Sequence, residues 1–226
     1  MNFEYLLFNL IVLFGPVLFS FDRQVRFVHF WPAAFISIVT MMIPFIIWDS
    51  LVSGVHWFFH AKYTLPVRIF LLPPGEILFF ISVPFACLFI WQIIATFKPP
   101  VYIKTRFFFY VLIFFATILA SIMFIRGKMY TALVLISIVF TVILDLILKT
   151  DLLSQKRTFI YVTMITILIF IFDSYLTSRP VIYYAIPFYT GFKIRTIPIE
   201  DFGYGYSLIL SSTILFEKWK GVLHAS

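Results

Sequence analysis

A short acidic signature occurs twice in this chain and supplies the residues best suited to acid–base chemistry. Asp49 is followed 27 residues later by Glu76. The same spacing separates Asp173 from Glu200, which has Asp201 as its neighbour. Two carboxyl groups that share an apolar site can hold one proton between them, so that one serves as general acid and the other as general base. We therefore expect these five residues to be catalytic.

A structural explanation competes with that interpretation. A proline stands two residues before each glutamate, at Pro74 and at Pro198. Proline and an acid in the first turn are ordinary features of a helix start, and for one isolated site we would favour this explanation. The signature, however, repeats with an offset of 124 residues and no gap. The repetition of a costly pair of acids near membrane helices favours a functional role.

The elements that must position these acids are membrane helices. Of the 226 residues, 62% are hydrophobic, only 12% are charged and 31 are phenylalanine, which is typical of an integral membrane protein. Most of the apolar stretches reach the ~17–25 residues that a spanning helix needs. We expect an all-α integral membrane protein with seven transmembrane helices, in the stretches 3–20, 31–48, 77–96, 107–125, 129–148, 159–176 and 203–216.

The distribution of lysine and arginine predicts an orientation. The connections that follow odd-numbered helices, together with the C-terminal tail, carry ten of these residues, whereas the opposite side carries seven. Positive residues favour the cytoplasmic side, so we expect the N-terminus outside and the C-terminus in the cytoplasm of a multi-pass inner (cytoplasmic) membrane protein. Because the net charge of +7 is spread over many helix ends, we expect no nucleic-acid partner.

The repeat also gives the helices an arrangement. The offset maps helices 1–3 onto helices 5–7 and leaves helix 4 as a connector. A three-helix unit ends on the side opposite its start, so one extra crossing lets the second unit begin in the same orientation. We expect two parallel three-helix repeats, residues 1–96 and 127–226, joined by a connector, residues 97–126. An axis along the membrane normal would relate them and bring both acidic signatures to one membrane face.

Other membrane chemistries find little support in the residues. Cys87 is the only cysteine, which excludes a cysteine-rich metal site. His56 and His60 have a spacing that could bind a metal on a helix, but the pair stands alone, so we expect no metal. The chain contains no Gly-x-Gly-x-x-Gly motif, and a nucleotide-binding flavin fold is therefore not expected. We expect no cofactor.

The motifs resemble those of the membrane-integral lycopene cyclase domain of some bacteria, archaea and fungi. That family carries two Pro-x-Glu-Glu/Asp motifs, each of which opens a helix. The second copy here, Pro198-Ile199-Glu200-Asp201, fits closely. The first copy, Pro74-Gly75-Glu76, fits in its context, with Trp48-Asp49 before it and Pro84 after it. The resemblance extends from about residue 20 to Glu217.

The first motif departs from the family pattern of two adjacent acids. In the family's register, Gly75 occupies the first acid position and Glu76 the second, whereas the gapless repeat pairs Glu76 with Glu200. The residues leave both registers open. We expect the substitution Gly75→Glu to be tolerated or activating, because it restores the pattern at a helix start where an anion is favoured by ~0.3–1 kcal/mol.

The resemblance implies a cofactor-independent carotenoid cyclase. A proton adds to the terminal double bond of lycopene, an internal double bond attacks the resulting cation, and loss of a proton leaves a β-ionone ring, which gives γ- or β-carotene. An acid in an apolar site keeps its proton, and aromatic faces stabilise a cation by ~0.5–2 kcal/mol each. The aromatic residues expected to bind substrate lie close to the motifs and are Trp57, Phe79, Phe80, Tyr204 and Tyr206.

The expected partners follow from the same resemblance. They are lycopene or a related C40 polyene and the lipid bilayer, together with further copies of the chain or other carotenoid enzymes. A non-enzymatic function stays open, because Gly75 removes an acid from the first motif. The chain would then be a carotenoid-binding protein or a small proton-coupled membrane carrier of the same fold.

Overall fold

The computed structural model describes residues 3–223, and within that range the chain forms seven α-helices. Five of them, α2 to α6, are long and apolar enough to cross a membrane, and α1 is a shorter apolar helix. The structure is therefore consistent with an all-α membrane protein and has the expected seven helices, whereas a crossing of the membrane by all seven stays a prediction. The helices are α1 (Glu4–Phe19), α2 (Trp31–Val52), α3 (Pro74–Phe97), α4 (Arg106–Ile125), α5 (Met129–Leu148), α6 (Lys156–Ser178) and α7 (Ile199–Leu223).

The last helix is longer than the apolar stretch 203–216 predicted. It begins at Ile199, directly after Pro198, because a proline cannot donate the backbone hydrogen bond that a preceding turn would need. Two acids in its first turn suit the positive end of the helix dipole. At its other end it continues past the apolar residues as far as Leu223, so that α7 has 25 residues.

The two halves use equivalent packing partners. Helix α1 packs along α3, and α5 packs along α7. Helix α2 lies against α7, α6 lies against α3, and α3 and α7 meet at the centre of the bundle, while α4 pairs with α5 on the outside. A two-fold relation between the halves requires these contacts. The superposition of the halves by rotation about the membrane normal stays a prediction.

Small residues allow α5 and α7 to approach closely. A side chain at Gly203 would meet Val134 Cγ1 at 2.5 Å, so only glycine fits between the two helices at this level. Further along, the hydroxyl of Ser137 donates to that of Ser207 at 2.8 Å, and Thr141 and Ser211 are joined at 2.9 Å. Close backbones and hydroxyl pairs of this kind hold helices together in an apolar medium.

Two connections cover the end of the bundle at which α3 and α7 begin. Strand β1 (Trp57–Phe59), between α2 and α3, pairs antiparallel with β2 (Ile182–Tyr184), between α6 and α7. The second connection adds a short 3-10 helix, Ile186–Phe188, and a hairpin of β3 (Lys193–Ile194) with β4 (Ile197–Pro198). The paired strands therefore join the two halves across the centre of this face.

A second polar cluster lies at the opposite end of the bundle. The guanidinium of Arg157 stands 4.9 Å from the centre of the Trp91 ring, and Trp91 Nε1 donates to Glu217 at 2.9 Å. Close by, the buried carboxylate of Asp145 accepts backbone N–H groups of Leu152 and Leu153, both at 3.0 Å. These contacts tie α3 to α6 and α7, and α5 to the connection that follows it.

Asp145→Asn should destabilise the fold without removing a catalytic group. The new amide would face the buried N–H of Leu153 with a second donor, and an unsatisfied buried donor costs about 1–3 kcal/mol. Asp151→Asn is the matched control, since Asp151 is exposed. Thermal unfolding in detergent measures the difference, and equal unfolding temperatures for the two variants would contradict a structural role for Asp145.

Candidate active site

Four of the five candidate acids surround one cavity. Asp49 lies near the end of α2 and Asp173 near the end of α6, while Glu76 and Asp201 lie in the first turns of α3 and α7. Helices α2 and α6 run towards this membrane face and α3 and α7 run away from it, so all four carboxyl groups reach the same depth. They form the polar end of a cavity whose other walls are mainly apolar.

In the N-terminal half, two carboxyl groups face each other. The carboxyl groups of Asp49 and Glu76 are close enough for their charges to interact. The hydroxyl of Tyr5 donates to Glu76 Oε2 at 2.5 Å. The hydroxyl of Tyr204 donates to Asp49 Oδ1 at 3.0 Å, so a tyrosine of the C-terminal half supports an acid of the N-terminal half.

In the C-terminal half, Asp201 accepts two phenolic hydrogen bonds. Tyr130 donates to Oδ1 at 2.6 Å and Tyr184 donates to Oδ2 at 2.7 Å. Tyr184 belongs to strand β2, and its burial, together with the nearby negative charge of Asp201, raises its pKa well above the usual value. The Tyr184 hydroxyl therefore keeps its proton and stays a donor.

Asp173 differs from the other three acids of the cavity. Within residues 3–223, no hydrogen-bond donor reaches its carboxyl group, although the carboxyl groups of Asp201 and Glu76 are close enough to repel a charge on it. Hydrogen bonds favour the charged form of a carboxyl group and apolar surroundings disfavour it. The Asp173 carboxyl therefore has no hydroxyl partner that would stabilise its charged form.

Glu200 does not line the cavity. Its Oε1 accepts hydrogen bonds from the hydroxyl of Thr131 at 2.6 Å, the hydroxyl of Thr190 at 2.7 Å and the backbone N–H of Thr190 at 2.8 Å. Its Oε2 is buried and has no hydrogen-bond partner in the described part of the chain. Glu200 thus holds the start of α7 to α5 and to the connection that precedes the β3–β4 hairpin.

The hydrogen bonds decide between the two registers of the repeat. Tyr5 and Glu76 are 71 residues apart, and so are Tyr130 and Asp201. Both pairs therefore superpose with an offset of 125, which makes Glu76 the counterpart of Asp201 and Gly75 the counterpart of Glu200. The gapless pairing of Glu76 with Glu200 does not match these environments.

Gly75 is required by the side chain that lies against it. A Cβ atom at this position would lie 2.7 Å from Tyr5 Cδ1 and 2.9 Å from Tyr5 Cγ, which is too close for any side chain. The expectation that Gly75→Glu is tolerated is therefore corrected. The ring of Tyr5, which donates to Glu76, occupies the space that an acid at position 75 would need.

The candidate aromatic residues divide into two groups. Trp57, Phe79 and Tyr204 line the cavity. Phe80 is fully buried among α2 and α7 side chains, and Tyr206 points towards α6, where its hydroxyl is 2.8 Å from that of Thr166. Phe80 and Tyr206 are thus supports of the helix packing and do not line the cavity.

The sequence reasoning missed three of the hydroxyl donors, namely Tyr5, Tyr130 and Tyr184. The sequence does carry a signal for two of them, because Tyr5 and Tyr130 are 125 residues apart, as are Glu76 and Asp201. The search for a gapless repeat found the offset of 124 and therefore missed this relation. Within residues 3–223, no group of three His, Cys, Asp or Glu side chains is arranged to hold a metal ion.

Comparison with known proteins identifies the family. The family model described as lycopene cyclase matches residues 2–94 and 107–219, which together contain most of the chain. Both acidic signatures and all four carboxyl groups of the cavity fall within the matched segments. No curated protein and no solved structure matches the chain significantly.

Gly75→Ala should destabilise the protein by about 1–3 kcal/mol, because the added methyl group overpacks the contact with Tyr5. Gly15→Ala in α1 is the matched control, since nothing lies within 4 Å of the position its Cβ would take. Thermal unfolding in detergent measures both. If Gly75→Ala unfolds at the temperature of Gly15→Ala, the close contact with Tyr5 does not restrict position 75.

Proposed function

This chain belongs to the lycopene cyclase family, and we propose that it closes the ends of lycopene into β-ionone rings by a proton-initiated reaction without a cofactor. The reaction is an isomerisation, because one proton enters the substrate and one leaves it, with no change of oxidation state. Its products are γ-carotene after one ring closure and β-carotene after two. The apolar helices support a site within a membrane, which we propose to be the inner (cytoplasmic) membrane, where the polyene is dissolved.

One observation carries the proposal. Four carboxyl groups, those of Asp49, Glu76, Asp173 and Asp201, stand at one end of a cavity whose other walls are aliphatic and aromatic. An apolar polyene end fits such walls. Carboxyl groups are the side chains that can give a proton to an alkene and take one back, and an apolar site keeps some of them protonated.

We assign the first step to Asp173. Its carboxyl group lacks hydroxyl donors, so the protonated form suffers no competition from a hydrogen-bonded anion. The O–H proton adds to the terminal double bond of the substrate and leaves a tertiary carbocation. The internal double bond then attacks that cation and closes the six-membered ring, which carries a new cation within it.

Asp201 accepts the proton in the last step. The hydroxyls of Tyr130 and Tyr184 stabilise its charged form, and an anion at this position also attracts the ring cation. Loss of a ring proton to Asp201 restores a double bond and gives the β-ionone ring. Because Asp201 and Asp173 are neighbours, the proton can return to Asp173 for the next turnover.

Asp49 and Glu76 supply a second carboxyl pair at the same end of the cavity. Their carboxyl groups are close together, and Glu76 also lies near Asp173. A proton that is lost from the Asp173–Asp201 pair can be replaced from this pair. We therefore propose that Asp49 and Glu76 serve as a proton reserve for the donor.

Aromatic faces stabilise the intermediate cation. Trp57, Phe79 and Tyr204 line the cavity next to the carboxyl groups. A cation over such a ring is stabilised by ~0.5–2 kcal/mol, and the apolar walls of the cavity disfavour water beside it.

Glu200 acts in this scheme as a positioning residue. Its carboxylate is bound by Thr131 and Thr190 outside the cavity wall, so it fixes the start of α7 and with it the carboxyl group of Asp201. A glutamine at position 200 can accept the same hydrogen bonds through its amide oxygen. This role differs from the proton transfer that the motif led us to expect.

A second candidate function rests on the sharing of protons among buried carboxyl groups. Such a cluster at the interface of two halves would also suit a small proton-coupled carrier. A carotenoid-binding protein without turnover would likewise use the apolar cavity. Both alternatives predict that lycopene is unchanged by the protein, so an assay of ring closure separates them from the enzyme.

Asp173→Asn and Asp201→Asn should each lower ring closure about 100-fold or more, because each removes a proton donor or acceptor and keeps the shape of the side chain. The assay is a lycopene-making bacterial host that changes from red to yellow, with pigments separated by chromatography. Asp22→Asn, on an exposed loop, is the control. Turnover at wild-type rates in both variants would exclude these roles.

Glu200→Gln should retain most of the activity, whereas Glu200→Ala should lose both activity and thermal stability. The amide oxygen keeps the contacts to Thr131 and Thr190, and alanine leaves these donors unpaired, at about 1–3 kcal/mol. Equal and complete loss of activity in both variants, with unchanged stability, would assign Glu200 to the chemistry instead.

Phe79→Tyr should lower the turnover rate about tenfold, because Phe79 is the counterpart of Tyr204 at an offset of 125 and the new hydroxyl would donate to Asp173 as Tyr204 donates to Asp49. Such a donor favours the anion and weakens Asp173 as an acid. Phe14→Tyr, on the exposed surface of α1, is the control for an added hydroxyl outside the cavity. An unchanged or faster rate with Phe79→Tyr would contradict the role of Asp173.

A further inference from the structure

Helices α1 and α6 each turn one stripe of side chains towards the cavity. On α1 the stripe is Tyr5, Phe8 and Val12, and on α6 it includes Ile165, Ile169 and Phe172. The spacings of three and four residues identify one face of each helix. These faces line a common space, so the seam between α1 and α6 is part of the cavity.

Direct contacts between α1 and α6 are concentrated at the end near the acids. Among residues 3–223, the hydrogen bonds and ring contacts between these helices join Glu4 to Tyr175 and Arg179, and Phe8 to Phe172 and Tyr175. The Glu4 carboxylate holds Arg179 in two hydrogen bonds, at 3.0 and 2.9 Å. The seam is thus fastened where it meets water, and its deeper part is lined by aliphatic side chains.

The corresponding seam in the other half is filled. There, between α2 and α5, the indole of Trp48 packs against Tyr204 with ring centres 5.0 Å apart and against Tyr130 at 6.4 Å. Phe45 adds a contact to Tyr204 at 5.2 Å. From α2 only Asp49 reaches the cavity, and from α5 only Tyr130. The cavity therefore extends towards the bilayer on one side of the bundle.

We infer that the seam between α1 and α6 is the lateral passage through which a long apolar polyene slides from the bilayer to the carboxyl groups, one end at a time. The inference rests on the proposed function for the identity of the ligand. Transfer of an apolar polyene from lipid into water is unfavourable, so entry from the aqueous face is disfavoured. The β1–β2 pair and the Glu4–Arg179 contact also cover that face. The remainder of the molecule stays in lipid while one end reacts.

One passage has a kinetic consequence. The second end of lycopene can reach the acids only after the first ring has left the cavity and the molecule has turned round. The product with one ring should therefore be released into the membrane before the product with two rings forms. A bundle with two open seams would allow both ends to be processed without release.

Tryptophan substitutions test the passage. Val12→Trp and Ile169→Trp should each lower the rate of ring closure in lycopene-containing vesicles about tenfold or more, because the added ring and the polyene cannot share the seam. The matched controls are Ile11→Trp and Ile171→Trp on the same helices, where the side chains are 66% and 56% exposed on the outer surface. These controls should stay within about twofold of the wild type. Equal rates for the seam and control variants would overturn the inference.

A labelling experiment gives a readout that needs neither turnover nor an unaltered fold of the tryptophan variants. Val12→Cys and Ile11→Cys are labelled with a membrane-permeable maleimide, and peptide mass spectrometry reports each site separately from Cys87. Vesicles that contain lycopene should slow labelling at position 12 and leave position 11 unchanged. Ring closure without protection at position 12 refutes the passage alone. Protection without ring closure refutes the proposed function and supports a binding protein, while the passage stands.

Discussion

The placement of carboxyl groups in an apolar bundle is the constraint on which the rest of this structure depends. An unpaired charge at membrane depth costs several kcal/mol, and the cavity contains no lysine or arginine to balance one. Instead, tyrosine hydroxyls donate hydrogen bonds to three of the four acids, Asp49, Glu76 and Asp201. Its two salt bridges in residues 3–223, Glu4–Arg179 and Glu217–Lys220, lie at opposite ends of the bundle. The carboxyl groups of the site therefore have no permanent cationic partner and remain able to bind and release protons.

Much of the fold follows from short-range features of the sequence. Prolines 74 and 198, each with acids in the next turn, mark the starts of α3 and α7, and the apolar stretches predict the number of helices. The partners of the acids could not be read in this way. Tyr5 and Tyr130 stand 71 residues before the carboxylates to which they donate, and such pairs form only when α1 packs on α3 and α5 packs on α7. The apolar stretch also underestimated the length of α7, because charged residues at both ends of this helix lower its mean hydropathy.

The register of the repeat illustrates how a one-residue difference misleads a sequence comparison. Asp49 precedes Glu76 by 27 residues, whereas Asp173 precedes Asp201 by 28. The second connection is therefore one residue longer, a change that a surface loop tolerates at little cost. A gapless alignment absorbs the extra residue by matching Glu76 to Glu200. The hydrogen-bond partners reveal the true counterpart, because a helix start that is shifted by one residue would turn its carboxyl group away from the cavity.

With the corrected register, the differences between the halves acquire a chemical meaning. Phe79 stands where the C-terminal half has Tyr204, and Gly75 stands where it has Glu200. Tyr204 donates to Asp49, whereas its counterpart Phe79 has no hydroxyl to donate to Asp173. Asp201, by contrast, accepts hydrogen bonds from both Tyr130 and Tyr184. A perfectly symmetric site would hold its protons with equal strength at equivalent positions. The proposed cyclisation needs a donor and an acceptor at the same moment, and the missing hydroxyl at Phe79 would create that difference without any new charged residue.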